Sequence, residues 1–425
     1  MSTTREQVSA APAVETVGDR PLLSAPHRAE KTPRILRRML ALEDFEKAAP
    51  RYIPRPICGY VLGGSETNAS LRGNRAVWDE IAFVPRGLVD VSKRVQRITL
   101  FGRTYDMPFG LAPMGGTAMA AYQGDIVLAQ AAAEANIPMV LSGAALTPLE
   151  AVRKAGPTAW FQAYLPGDNA TITRLVERVE RAGYDTLVLT VDVPVMANRE
   201  NNVRSGFHTP LRPTLRLAWD CGIRPHWLFG MFCRTLLKHG MPYFENMGPR
   251  VPLLSRTGER DRGPRDQLAW THLELMRRLW RGRLVVKGIL DTRDARIARE
   301  SGADGIVVSN HGGRQLDGAV APLRVLPGIV EEAGSMVVMM DSGIRRGTDV
   351  LKALALGAQF VFVGRPFLCA AAIAGLPGVR HAIHLLREEI HRDMALLGIT
   401  TLAEMQPDLL MPAHEPFLNR GATKG

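Results

Sequence analysis

The residues best suited to chemistry in this sequence each follow a short apolar run. The stretch Gly305 to Asp317 reads GIVVSNHGGRQLD. Ile306, Val307, Val308 and Ser309 have no polar alternation, as expected of a strand buried on both faces. The run ends in Asn310, His311, a Gly-Gly pair and Arg314, so a base and a guanidinium arrive together at the strand's carboxyl end. Other runs end in the same way, in Gly115, Ser142, Gln162 and Tyr164, Thr190 and Asp192, Lys287, Asp341 and Arg345, and Gly364-Arg365. Buried polar side chains need partners, and a ligand can supply them.

These groups divide by chemistry. Gly343 and Gly364 offer backbone N–H groups beside Arg345 and Arg365, a combination that suits a phosphate. Lys287 can neutralise charge developing on an electron-accepting ring. Ser142, Gln162 and Thr190 suit the edge of a flat heteroaromatic. One phosphate site and one ring fit a flavin mononucleotide better than a dinucleotide. His311, Asp192, Arg314, Arg199, Tyr60 and Tyr164 are left for a substrate. Two arginines and two phenols suit an anion with a neighbouring hydroxyl. His311 beside Asp192 is a base whose protonated form has a counter-ion. No HxxxH, HExxH or cysteine cluster points to a metal.

Eight buried-type runs must position these groups: Pro108–Pro113, Pro138–Gly143, Ala159–Leu165, Thr186–Asp192, Leu284–Ile289, the Gly305 run, Val337–Gly343 and Phe360–Arg365. Helical segments separate many of them, at 124–136, 147–154, 169–182 and 292–301, and 379–397 reads as the last outer helix. The alternation predicts an α/β fold, a (β/α)8 TIM barrel. An open doubly wound sheet would also alternate, but the GxGxxG turn expected after its first strand is absent. Residues 36–410 are expected to form the barrel domain. A short helix at 41–49, a compact segment at 54–64 and a hairpin at 98–105 form an N-terminal helical cap without a core of its own. Residues 1–35 and 411–425 read as tails.

An insert at 194–264 follows the fourth strand and is too long for an ordinary loop. Its segment 215–238 mixes Trp219, Trp227, Phe229 and Phe232 with Arg216, Arg224, Arg234 and Lys238. That composition suits an interfacial membrane anchor, and equally a helix packed on the barrel or on a neighbouring subunit.

The chain has 425 residues, 46% hydrophobic and 22% charged, with a net charge of +11. Its basic residues are spread along the chain without a nucleic-acid-binding motif, so anionic substrates, an acidic membrane surface or an acidic partner explain the charge and nucleic acid is not expected. The four cysteines lack CxxC spacing, and no run of about 18 uninterrupted apolar residues is present. A cytoplasmic protein is expected, with a peripheral position on the inner face of the cell membrane as the extension of that reading.

The motifs SNHGGRQLD (309–317), DSGIRRGTD (341–349), ALALGA (353–358), VGRP (363–366), LTVDVP (189–194) and VVKG (285–288) resemble the FMN-dependent L-2-hydroxy acid oxidases and dehydrogenases. That family includes glycolate and lactate oxidases, membrane-linked L-lactate dehydrogenases and mandelate dehydrogenases. The resemblance runs from about Leu42 to about Met405. It implies His311 as general base paired with Asp192, Arg314 and Arg199 on the substrate carboxylate, and Tyr60 and Tyr164 facing the substrate. It also implies flavin contacts at Pro113, Met114, Gly115, Ser142, Gln162, Thr190, Lys287 and Ser309. Ribityl and phosphate contacts fall on Asp341, Gly343, Arg345, Gly364 and Arg365. A homo-oligomer is expected, with tetramers frequent among relatives.

Two positions depart from the small-substrate pattern. Gly115 stands where many members have alanine, and Ala144 where the glycolate type has a bulky aromatic. Both open space near the flavin, so a larger aryl or branched L-2-hydroxy acid is expected. Gly115 also resembles the mandelate dehydrogenase type, which favours a quinone or other carrier over oxygen as acceptor. The alternative is a soluble oxidase that makes hydrogen peroxide. A different class, a non-catalytic flavin-binding scaffold or an isomerase, has no physical need for His311, Asp192 and both arginines around one rim.

Overall fold

The computed structural model describes residues 33–255 and 263–414. Residues 1–32 and 415–425 of the expected tails, and residues 256–262 of the insert, lie outside the described residues. The eight strands occur at Phe109–Leu111, Met139–Ser142, Ala159–Ala163, Thr186–Thr190, Arg283–Ile289, Gly305–Val308, Val337–Met340 and Phe360–Val363. They close into one parallel barrel, the fourth bonding the fifth and the eighth bonding the first.

Successive side chains alternate between the two faces of a strand, and this sorts the barrel interior into layers. Ala112, Val140, Trp160, Val188, Val285, Val307, Met339 and Phe362 pack together inside. Two residues further along their strands come Met114, Ser142, Gln162, Thr190, Lys287, Ser309, Asp341 and Gly364. A largely polar layer therefore sits on an apolar one at the carboxyl end. At the opposite end, the hairpin of Ile98–Leu100 and Arg103–Tyr105 adds Leu100 and Tyr105 to the apolar layer, with Tyr105 6.0 Å from the Phe360 ring.

The N-terminal segments share the outer core of the barrel: Leu36, Leu42, Phe45 and Trp78 are buried in the same cluster as the outer helices. Ile81–Phe83 pairs antiparallel with Leu410–Pro412, so Met411 and Pro412 belong to a ribbon although a tail was expected from 411. The expected last helix is the second half of Arg365–Leu397, which is broken by non-helical Ala374 and Gly375. By length and composition this helix could cross a membrane, but 67% of its apolar window is buried inside the fold. Trp270–Leu279, a helix the sequence did not single out, precedes the fifth strand.

The insert splits into two kinds of surface. Phe207, Leu211, Phe244 and Leu253 are buried, and Trp227 donates from Nε1 to Met119 O at 2.8 Å. Leu215, Trp219 and Ile223, spaced four apart on Leu215–Gly222 and its C-cap, are exposed, as are Phe229 and Leu237. Exposed Arg216, Arg234 and Lys238 lie among them.

Candidate active site

The polar layer is wired from the sixth strand outward. Ser309 Oγ accepts from Lys287 Nζ at 2.9 Å and from the His311 backbone N–H at 3.0 Å. His311 has a left-handed backbone, φ 56°, which turns its ring back over the barrel mouth. His311 Nδ1 lies 2.8 Å from Asp192 Oδ1. Lys287 Nζ lies 3.2 Å from Asp341 Oδ2 and 3.9 Å from Asp192 Oδ2.

Burial and the neighbouring charges together set the protonation states. Burial opposes charge on Asp192, but His311, Lys287 and the hydrogen bond together outweigh it and hold the carboxyl below its ordinary range. Burial also disfavours imidazolium, and although Asp192 works against it, the His311 pKa lies below that of a free histidine. Lys287 is desolvated too, yet Asp341 and Asp192 raise its pKa above the ordinary value. The layer thus holds an ionised carboxylate, a neutral imidazole and an ammonium ion side by side.

The facing side of the cavity, where the substrate residues were expected, comes from the cap and the loops. Arg314 Nη1 donates to Tyr60 O at 2.6 Å and Gly63 O at 2.8 Å, and its guanidinium lies 4.9 Å from the Tyr60 ring centre. Arg199 Nε donates to Arg314 O at 3.0 Å, and Nη2 to Gln315 Oε1 at 2.7 Å. Burial, then the neighbouring Arg199 and Arg365, push the Arg314 pKa down to about 9. The Tyr60 hydroxyl donates to Gly115 O at 3.2 Å, and the Tyr164 hydroxyl stands 3.4 Å from His311 Nε2. One cavity touches Tyr60, Tyr164, Arg199, Arg314, His311 and Lys287, and also Gly115 and Ala144. A Cβ on Gly115 would stand 3.0 Å from Ala144 Cβ and 3.2 Å from Tyr60 Oη, so the glycine keeps this corner open.

Pro113, Met114, Asp341, Gly343, Arg345, Gly364 and Arg365 line the same cavity. The two arginines expected at a phosphate have protein partners as well. Arg345 pairs with Glu46 through Nε at 2.5 Å and Nη2 at 2.8 Å. Arg365 Nη2 donates to Gly312 O at 2.9 Å and Nε to Val61 O at 3.1 Å. Beneath them, Ser142 Oγ donates to Gln162 Oε1 at 3.1 Å, while buried Gln162 Nε2 and Thr190 Oγ1 have no protein partner. A donor and a hydroxyl left over at the rim fit the edge of a flat heteroaromatic such as the isoalloxazine of FMN.

Sequence reasoning missed the wall that the insert contributes. Met196, Phe207 and Phe244 of the insert line the cavity, with Val193 just before it, and Phe207 stacks on Tyr60 with ring centres 4.4 Å apart. Arg265 lines it too, its guanidinium 4.9 Å from the Tyr164 ring centre. These residues lack a shared periodicity, and only the fold brings them to one place.

Residues 49–412 match the family of FMN-dependent dehydrogenases. The chain is 38% identical over 385 residues to an L-lactate dehydrogenase of Ectopseudomonas mendocina, covering 87% of this chain and 98% of that protein. Its structure is similar to that of the monotopic membrane protein (S)-mandelate dehydrogenase, with a TM-score of 0.81 and 34% identity over 88% of this chain and 100% of the other. It is also similar to a mandelate oxidase solved with (S)-mandelic acid, with a TM-score of 0.72 and 35% identity over 88% and 98% of the two chains. With the barrel, the rim and these matches in agreement, the chain belongs to the FMN-dependent dehydrogenase family and uses FMN as its cofactor.

Proposed function

We propose that the protein oxidises a lactate- or mandelate-like L-2-hydroxy acid with a side chain larger than that of glycolate to the 2-oxo acid. His311, backed by Asp192 and lining one cavity with Arg199 and Arg314, carries this reading. Arg314 and Arg199 hold the substrate carboxylate, and Tyr60 and Tyr164 orient its hydroxyl. With Nδ1–H donating to Asp192, Nε2 of neutral His311 faces the cavity and takes the proton, and Asp192 stabilises the resulting imidazolium. FMN, when bound, would supply the acceptor for the two electrons and the second hydrogen that the substrate gives up. Pro113, Met114, Ser142, Gln162, Thr190, Lys287 and Ser309 would hold the flavin ring. Asp341, Gly343, Arg345, Gly364 and Arg365 would hold its ribityl and phosphate groups.

Gly115, Ala144 and the apolar insert wall favour an aryl or branched side chain. The exposed face of Leu215, Trp219, Ile223, Phe229 and Leu237, with basic residues among them, supports a peripheral site on the inner face of the cell membrane and a quinone or other membrane carrier as acceptor. Burying each such side chain is worth roughly 1.5–3 kcal/mol, so several together make a reversible anchor. The likeness to mandelate oxidase supports a second reading, in which oxygen is the acceptor.

An anaerobic screen of short, branched and aromatic L-2-hydroxy acids against the holoenzyme tests the proposal by bleaching of the bound flavin. Fast bleaching by aromatic acids followed by slow reoxidation in air supports it. Preference for glycolate with immediate reoxidation would sink the large-substrate, carrier-linked reading.

A further inference from the structure

The helix Ala69–Ala76 in the cap touches two loops of the rim that are far from it in sequence. Asn74 and Asn310 form a buried reciprocal amide pair, each Nδ2 donating to the other's Oδ1 at 2.8 and 2.7 Å. Asn310 immediately precedes His311, and its Oδ1 also accepts from Gly313 N–H at 3.1 Å. Its Nδ2 reaches Val320 O at 3.2 Å. The pair therefore pins both ends of a turn in which His311, Gly312 and Gly313 all have positive φ, a conformation that costs free energy at the histidine. The same residue packs on the other loop through its backbone. A Cβ on Gly343, itself at φ 87°, would stand 2.1 Å from Asn74 O. Neighbouring Arg75 donates from Nη1 to Gly343 O and, at 2.6 Å, to Asp349 Oδ2. Asp349 in turn accepts from the Arg345 and Arg346 backbone N–H groups at 2.8 and 3.1 Å. A direct strut joins the loops as well, since Gly312 N–H donates to Ser342 Oγ at 3.0 Å.

We propose that Asn74 is a positioning residue that sets the His311 turn and the Gly343 turn together, so that cofactor seating and placement of the base are coupled through one cap helix. The proposal rests on the reading of His311 as the base and of Gly343 as a cofactor contact. Truncating Asn74 strands the Asn310 amide in a buried site and loosens the His311 turn, and the Gly343 turn follows through the Gly312–Ser342 bond and the shift of the cap helix that packs on it.

The test measures two quantities in holoenzyme and reconstituted protein: the anaerobic rate of flavin bleaching by (S)-mandelate and L-lactate, and the Kd for FMN from the fluorescence of released flavin. In Asn74→Ala the bleaching rate at saturating acid is expected to fall about tenfold, with a smaller change in half-saturating concentration, and the Kd for FMN to rise about tenfold, the scale of one buried hydrogen bond left unmade. Asn74→Ser leaves a smaller void and a hydroxyl beside the Asn310 amide, so it should shift both quantities in the same direction by less. If Asn74→Ala does not fold, Asn74→Ser decides alone. Variants that lose only thermal stability, with both quantities within about twofold of native, overturn the proposal, as does a change in one quantity without the other. Native protein that neither acid bleaches overturns the reading of His311 as a base instead, and the FMN Kd of the variants separates that failure from this one.

Discussion

The barrel rim and the 215–238 segment treat polarity in opposite ways. At the rim, charged groups are buried and satisfied by one another: Lys287 is 4% exposed between Asp341 and Asp192, and Asp192 is bonded to His311. In the segment, Leu215 is 93% and Trp219 70% exposed, with charges left in the open between them. The rim must hold a few atoms to within fractions of an ångström, which buried hydrogen bonds can do. On the membrane reading proposed above, the segment has only to present apolar area to a fluid partner, for which geometry is secondary. On that reading precision and adhesion belong to different parts of one chain, and each should be open to loss while the other stays intact.

The largest expected effect comes from the rim. His311→Asn should slow flavin bleaching by about a thousandfold, as for loss of a general base, while vesicle binding stays native. Stopped-flow absorbance and co-sedimentation would check the two halves. In the native enzyme, kcat/KM should rise with pH as His311 loses its proton. Because burial lowers that pKa, the acid limb should fall on the acid side of the ordinary histidine range. The converse experiment replaces Leu215 and Trp219 with glutamate. Partition onto vesicles should drop by at least about tenfold, from the loss of two apolar side chains, with bleaching unchanged. Coupled losses in either experiment would break the division of labour.

The smallest effect concerns a buried carboxyl in neither region. Asp125 is fully buried, and burial pushes its pKa up to about 6 although Thr147 Oγ1 donates to it at 2.9 Å. Being raised above its unfolded value, this group stabilises the fold at low pH, and its contribution is lost as pH rises through about 6. Asp125→Asn should therefore raise the melting temperature by a few degrees at pH 8 and by less at pH 5, read by calorimetry. An equal gain at both pH values would remove the carboxyl's charge as the cause.

The barrel was legible because each strand is a short apolar run that ends in a breaker, and because period two fixes which residue comes next on the inner face. Val307 inside places Ser309 inside, and the same step takes Val285 to Lys287 and Val188 to Thr190. The kink at Ala374–Gly375 hid the first half of the last helix, and the charged pattern of Trp270–Leu279 gave no clear apolar stripe. The apolar wall from the insert was not legible, since Phe207 and Phe244 reach the cavity only through loops that close over long distances. Asn74 was silent for the same reason: its partner is 236 residues away, and a single asparagine on a short helix carries no pattern. Local rules expose a scaffold, while the contacts that tune it belong to the tertiary fold.

The depressed pKa of Arg314 has one more consequence. Burial, Arg199 and Arg365 weaken the hold of Arg314 on positive charge, so the mouth of the site carries electrostatic strain before any molecule enters. A carboxylate arriving between them relieves that strain, whereas an ester or amide of the same acid carries no charge with which to do so. On the proposed reading of the site, visitors are sorted by charge first, and the shape of the side chain is consulted only among those that pass.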